Sequence, residues 1–279
     1  MIAHFKQKGF TLILLALILG LIGSATLFSN FQPRASQLKL NQAEKQLNLL
    51  LSAKNNLMIY TASIPEIYAT DTNGVFFNSN RVPSPGYLPC PDTNQDGAMN
   101  TPCGQGAEIV YGWLPKGIAT RHFRFNPSEL EALHYVVDSR YVIQNADYNN
   151  PPTQRFAPLN PINPGEARIQ VGNQTHIVAF IYLDTISPDQ LLVAGSSVHF
   201  LRPERFIAIT HQEWQNAISL SVKAQASKLC NLPEQQPHWF NRCNNFATPT
   251  GTTKECAAIY DGRPDNPVGA NWRALLCQI

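Results

Sequence analysis

A chain of 279 residues with a formal net charge of +2 and a pI near 8.2 can hold one large core, or a core with an appendage, and is too weakly basic for bulk charge to select its partners. No block of Lys or Arg occurs along it, which excludes the electrostatic footprint of a nucleic-acid binder. Only 14% of its residues are charged, against about 25% in an average soluble domain, while 21 prolines suit a loop-rich extracytoplasmic chain.

Residues 9–33 carry no formal charge and are mostly apolar from Phe10 to Phe31, with Lys6 and Lys8 before them and Arg34 after. In a helix rising about 1.5 Å per residue, roughly 20 such residues cross a hydrocarbon core of about 30 Å. The basic residues upstream favour a short cytoplasmic N-terminus and put the remainder outside. A cleaved secretory signal, a plain anchor and a prepilin segment are three readings of such a run. A signal peptide has an apolar stretch of roughly 7–15 residues ending in a small-x-small site. Here the run continues past Ala16, Gly20, Gly23, Ser24 and Ala25 to Phe28 and Phe31, and Lys8-Gly9-Phe10-Thr11-Leu12-Ile13 stands ahead of it.

On these residues the chain resembles the type IV prepilin and type II secretion pseudopilin superfamily, over roughly residues 6–60. The resemblance implies that a membrane prepilin peptidase cuts between Gly9 and Phe10 and methylates the new terminal Phe10, leaving Thr11 and Leu14 in an assembly helix. A glycine suits that boundary because, lacking a side chain, it enters a tight protease site and adopts unhelical angles. One position departs from the family. Its glutamate at the fifth mature residue, which is thought to pair with a neighbour's terminal amine in the apolar filament centre, is replaced by Leu14. A lone buried charge is costly, so within the resemblance Leu14 points to a minor subunit at a filament end. Drift in a non-assembling anchor leaves the same residue.

From Ser36 to about Met58, Leu40, Ala43, Leu47, Leu50, Leu51 and Leu57 recur at spacings of three, four and seven among polar residues, which predicts an amphipathic helix. Joined to the apolar run it forms one long helix that Pro33 can kink. In pilins the exposed half of such a helix packs on a C-terminal sheet; an ordinary amphipathic helix of a membrane-anchored domain has the same pattern.

Residues 61–165, rich in Pro, Asn, Asp and Gly, read as a loop-rich passage. Within it Tyr87-Leu88-Pro89-Cys90-Pro91-Asp92 leads to Asp96-Gly97, Cys103 and Gly112-Trp113-Leu114-Pro115, which is similar to a subset of pilin-like proteins with a Leu-Pro-Cys-Pro-Asp segment. Asp92-x-Asn94-x-Asp96-Gly97 repeats the first half of an EF-hand loop, in which alternate oxygen side chains converge on calcium and the glycine permits a sharp turn. The twelfth loop position is Cys103 rather than glutamate, so such a site must recruit Glu108, a backbone carbonyl or water. An Asx-turn, in which the side chains bond only their own backbone, uses the same residues.

Further on, Glu129–Val137 reads either as a short helix or as a helix passing into a strand, and Tyr141-Val142-Ile143 as a strand. Thr175–Leu183 is the clearest strand and central in character, and Arg205–Thr210 is a second. His211–Leu229 predicts a helix with Trp214, Ala217, Ile218, Ser221, Val222 and Leu229 on one face. All six cysteines follow the apolar run, and no two stand at a zinc-site spacing, so they read as disulfides of an oxidising compartment. Cys90 and Cys103 form the local pair. Cys230, Cys243, Cys256 and Cys277 pair among themselves in an order the sequence leaves open.

The fold class expected is α+β: a long N-terminal helix on an antiparallel sheet with a disulfide-held cap. The expected divisions are a leader 1–9, a transmembrane helix 10–33, its amphipathic continuation 34–60, a periplasmic domain 61–229 and the cap 230–279. No nucleophile elbow, HExxH helix, Walker loop or dinucleotide-binding glycine pattern appears. His176 and His199 read as hydrogen-bonded residues in apolar surroundings, and Trp113, Trp214, Trp239 and Trp272 as packing. The function expected is that of a minor pilin or pseudopilin, non-enzymatic, a single-pass protein of the inner membrane with its C-terminal domain in the periplasm or on a surface filament. Its expected partners are the prepilin peptidase and other pilins or pseudopilins. The alternative is a membrane-anchored periplasmic binding protein or enzyme.

Overall fold

In the computed structural model the residues described are 37–67, 85–101, 103, 107–118, 123–128, 133–142, 167–183, 191–194, 197–200, 205–233, 240, 273, 276 and 277. The leader and the apolar run, with Gly9, Phe10, Thr11 and Leu14, lie outside them, as do Cys243 and Cys256. Among the described residues no helix is long and apolar enough to cross a membrane. The chain divides into two compact units, Met1–Asn48 and Leu49–Ile279.

Residues 37–67 are helical (α1), nine residues longer at the C-terminal end than the leucine pattern marks. Gln, Ala, Lys, Glu and Leu dominate its first five turns, all strong helix formers. In the first unit its described residues are exposed or half-exposed. In the second unit Leu50, Ala53, Leu57, Tyr60 and Ile64 are buried at alternating spacings of three and four, which is one face of a helix, and Thr61 is buried beside them. Of the expected stripe Leu50 and Leu57 are buried, whereas Leu40, Leu47 and Leu51 are 68%, 53% and 39% exposed. Pro65 sits in the last turn, where its missing N–H leaves the Thr61 carbonyl without its helical donor. Gly86 N supplies the bond instead, at 3.0 Å.

The strands are β1 (Ile109–Trp113), β2 (Gly117–Ile118), β3 (Phe123–Arg124), β4 (Leu133–Asp138), β5 (Ile169–Val171), β6 (Gln174–Leu183), β7 (Leu191–Ala194), β8 (Ser197–Phe200) and β9 (Phe206–Thr210). β2 and β3 form a small ribbon, and the others form one sheet in the order β1-β4-β6-β5-β8-β7, with β9 on the other side of β6. All pairings are antiparallel except β5 with β8. The central position of β6, flanked by β4 and β9, matches its nearly continuous run of β-branched and aromatic residues. The passage expected to be loops carries β1 to β4. Glu129–Val137 resolves into a strand over its described part. Tyr141 and Val142 do not form a strand: Ser139–Tyr141 is a 3-10 turn whose Arg140 amide is capped by the Asp138 side chain, and Val142 makes a single bridge to Leu88.

α2 (His211–Leu229) begins in a capping box in which Glu213 N donates to Thr210 Oγ1 at 3.2 Å and Thr210 N donates to Glu213 Oε2 at 3.0 Å. Its buried residues are Trp214, Ile218, Val222 and Leu229, four of the six expected. They share a core with the buried stripe of α1 and with Tyr135, Val137, Val178, Ala179, Ile181 and Ile209 from the sheet. Ile109, Val136, Ile169, Val171, Ile177, Phe180 and Tyr182 form a second buried cluster from the opposite pleats. A helix followed by a mainly antiparallel sheet and a second helix makes the fold α+β.

Candidate functional site

The motif residues scattered between positions 86 and 116 converge on the β1 edge of the sheet. Leu88 N donates to Tyr141 O at 2.6 Å, and Asp92 and Trp113 exchange backbone hydrogen bonds at 2.9 and 2.8 Å. The chain can lie this close because residue 112 is glycine: a Cβ there would stand 2.6 Å from the Asp92 carbonyl. The Cys90–Cys103 disulfide closes the loop that follows, and Asn100 N returns to Pro91 O at 3.3 Å. Asn100 Oδ1 accepts from both Thr93 N and Thr93 Oγ1, at 2.6 and 3.0 Å.

Inside this loop every expected ligand is an acceptor for a backbone amide. Asp92 is buried, and its Oδ1 accepts from Asn94 N at 3.2 Å while its Oδ2 accepts from Gly97 N at 2.6 Å. Asn94 Oδ1 accepts from Asp96 N at 3.4 Å, and Asp96 Oδ1 accepts from Ala98 N at 2.7 Å. Asn94 Nδ2 donates to Asp96 Oδ2 at 3.0 Å. Gly97 has φ +88, the left-handed turn the motif asks for, with the Lys116 stem across it. These are linked Asx-turns. A carboxylate oxygen has two lone-pair directions, so each keeps one for a cation. The rest of a calcium shell is less well supplied. Cys103 is in a disulfide, the Glu108 carbonyl accepts from Ser139 N and Arg168 Nη2, and among the described residues no three His, Cys, Asp or Glu side chains gather to hold a metal.

At the far end of β4 lies a charge cluster that the sequence did not announce. Asp138, with its side chain fully buried, accepts from Arg140 N, Nε and Nη2 and from Arg168 N, Nε and Nη2 at 2.9–3.3 Å. Burial alone raises its pKa; the hydrogen bonds and charge of Arg140, with the bonds of Arg168, outweigh that and hold it below the ordinary carboxylate value. Arg168 also reaches Ser139 Oγ and the Glu108 carbonyl, so one guanidinium joins β5, the 3-10 turn and the start of β1. Nothing in a run such as Leu133–Asp138 marks its last residue as the partner of an arginine thirty positions on.

On the second face Trp113, His134, Tyr182 and Phe206 are successive cross-strand partners, and His134 stacks on Tyr182 at 5.0 Å. Burial lowers the His134 pKa to about 4, so it is a neutral ring at physiological pH. His176 is exposed, contrary to the apolar setting expected for it, because it lies among the three exposed residues Gln174, Thr175 and His176 that open β6, with φ +56. Trp214 is buried and donates from Nε1 to the Gly86 carbonyl at 3.0 Å, while Trp113 is half-buried. The side chains of His199, Trp239 and Trp272 lie outside those described.

Cys230 and Cys277 form the second disulfide. Arg273 reinforces it by donating to the carbonyls of Leu229, Cys230 and Leu232 at 2.8, 3.2 and 2.6 Å, which satisfies the open end of α2 with a cation where the helix dipole favours one. No protein-family profile, curated protein or solved structure matches the chain.

Proposed function

We propose that the protein is a minor pilin or pseudopilin, an envelope subunit that initiates, caps or functionalises a filament. The observation that carries the reading is on α1. Leu40 and Leu47, seven residues apart and so on one line of the helix, are more than half exposed in the helical residues that follow closely on the uncharged run 9–33. Burying a leucine gains about 1.5–3 kcal/mol, so two leucines left in water along one line of a helix offer a surface to another helix. The antiparallel sheet behind the second half of α1 is what a pilin helix needs as its support. In this reading residues 10–33 anchor the chain in the inner membrane, the disulfide-bearing domain lies in the periplasm, and Leu14 suits a subunit used in few copies.

The proposal extends to calcium in the Asp92–Gly97 turn, since the Gly97 amide already closes the loop on Asp92 as a cation site requires. The filament reading is tested by mass spectrometry of sheared envelope filaments. A chain starting at methylated Phe10, far scarcer than the main subunit, is the expected result. An intact Met1, a start near residue 30, or abundance equal to the main subunit overturns it.

A further inference from the structure

We draw no further inference here: the strongest candidate, the aromatic row of Trp113, His134, Tyr182 and Phe206 across four strands on the second face of the sheet, is buried at its centre, and nothing in the structure shows what covers it.

Discussion

Replacing Asp138 with asparagine keeps the shape of the side chain, removes its charge and turns one acceptor into a donor facing two guanidinium groups. Removing one partner of a buried ion pair costs about 3–5 kcal/mol. Arg140 and Arg168 keep 22% and 30% of their side chains exposed, so water takes over part of their donors. The expected loss is therefore at the lower end, about 3 kcal/mol. For a unit of this size each kcal/mol moves the melting temperature by about 2–4 °C, which gives a drop of about 6–12 °C in a calorimetric scan at neutral pH. Glu213→Gln is the internal reference. That carboxylate pairs with Lys54 at 2.8 Å but is 49% exposed, and glutamine preserves the capping box, so its cost stays under about 1 kcal/mol.

The pH dependence follows from the sign of the Asp138 shift. A carboxylate whose folded pKa lies below its unfolded value adds stability that is fully present above about pH 4 and is lost as the pH falls through the folded value. The wild-type melting temperature falls on acidification through this range, and Asp138→Asn lacks that share of the fall. A variant melting within about 2 °C of wild type at neutral pH, or falling as steeply in acid, refutes the argument.

Gly112→Ala drives a methyl group into the Asp92 carbonyl and separates the two chains at their bridge, at a cost of about 1–3 kcal/mol; an unchanged melting temperature removes the close approach as the reason for that glycine. Peptide mapping of the non-reduced protein should find Cys243 joined to Cys256, the two cysteines left once Cys90–Cys103 and Cys230–Cys277 are made, nested inside the longer loop. Any cross-pairing of these with Cys230 or Cys277 contradicts it. Titration calorimetry is expected to show calcium binding, on the order of millimolar for so incomplete a shell, that Asp96→Ala weakens. Absence of both heat and thermal shift assigns the residues to the Asx-turns alone.

The parts of the fold legible in the sequence are those where one face or one run decides the outcome. β6 declared itself by an uninterrupted Ile177–Leu183, and α2 by its stripe Trp214, Ile218, Val222 and Leu229. β1 did not, because Val110-Tyr111-Gly112-Trp113 holds the glycine that a neighbouring backbone requires, and within the sequence alone that glycine reads as a loop signal. On α1 the leucines gave the right element and part of its buried face, Leu50 and Leu57. Ala53, Tyr60 and Ile64 fill the rest of the buried stripe while Leu40, Leu47 and Leu51 stay outside, since periodicity ranks residues by apolarity and cannot see where the sheet lies. The Asp92–Gly97 turn was legible because its chemistry is local. The Asp138 cluster was not, because its partners meet only after β4 and β5 have each taken their place in the sheet.

Arg273 also bears on how six thiols reach one arrangement. Random pairing offers fifteen connectivities. The guanidinium docks on the three carbonyls at the end of α2, and Cys277 follows one helical turn later, with its amide bonded to the Arg273 carbonyl at 2.8 Å. That docking needs no sulfur chemistry. In the folded protein the arginine's hydrogen bonds and the Cys230–Cys277 disulfide hold the tail at the same end of α2, so these contacts favour Cys230 over the other partners open to Cys277.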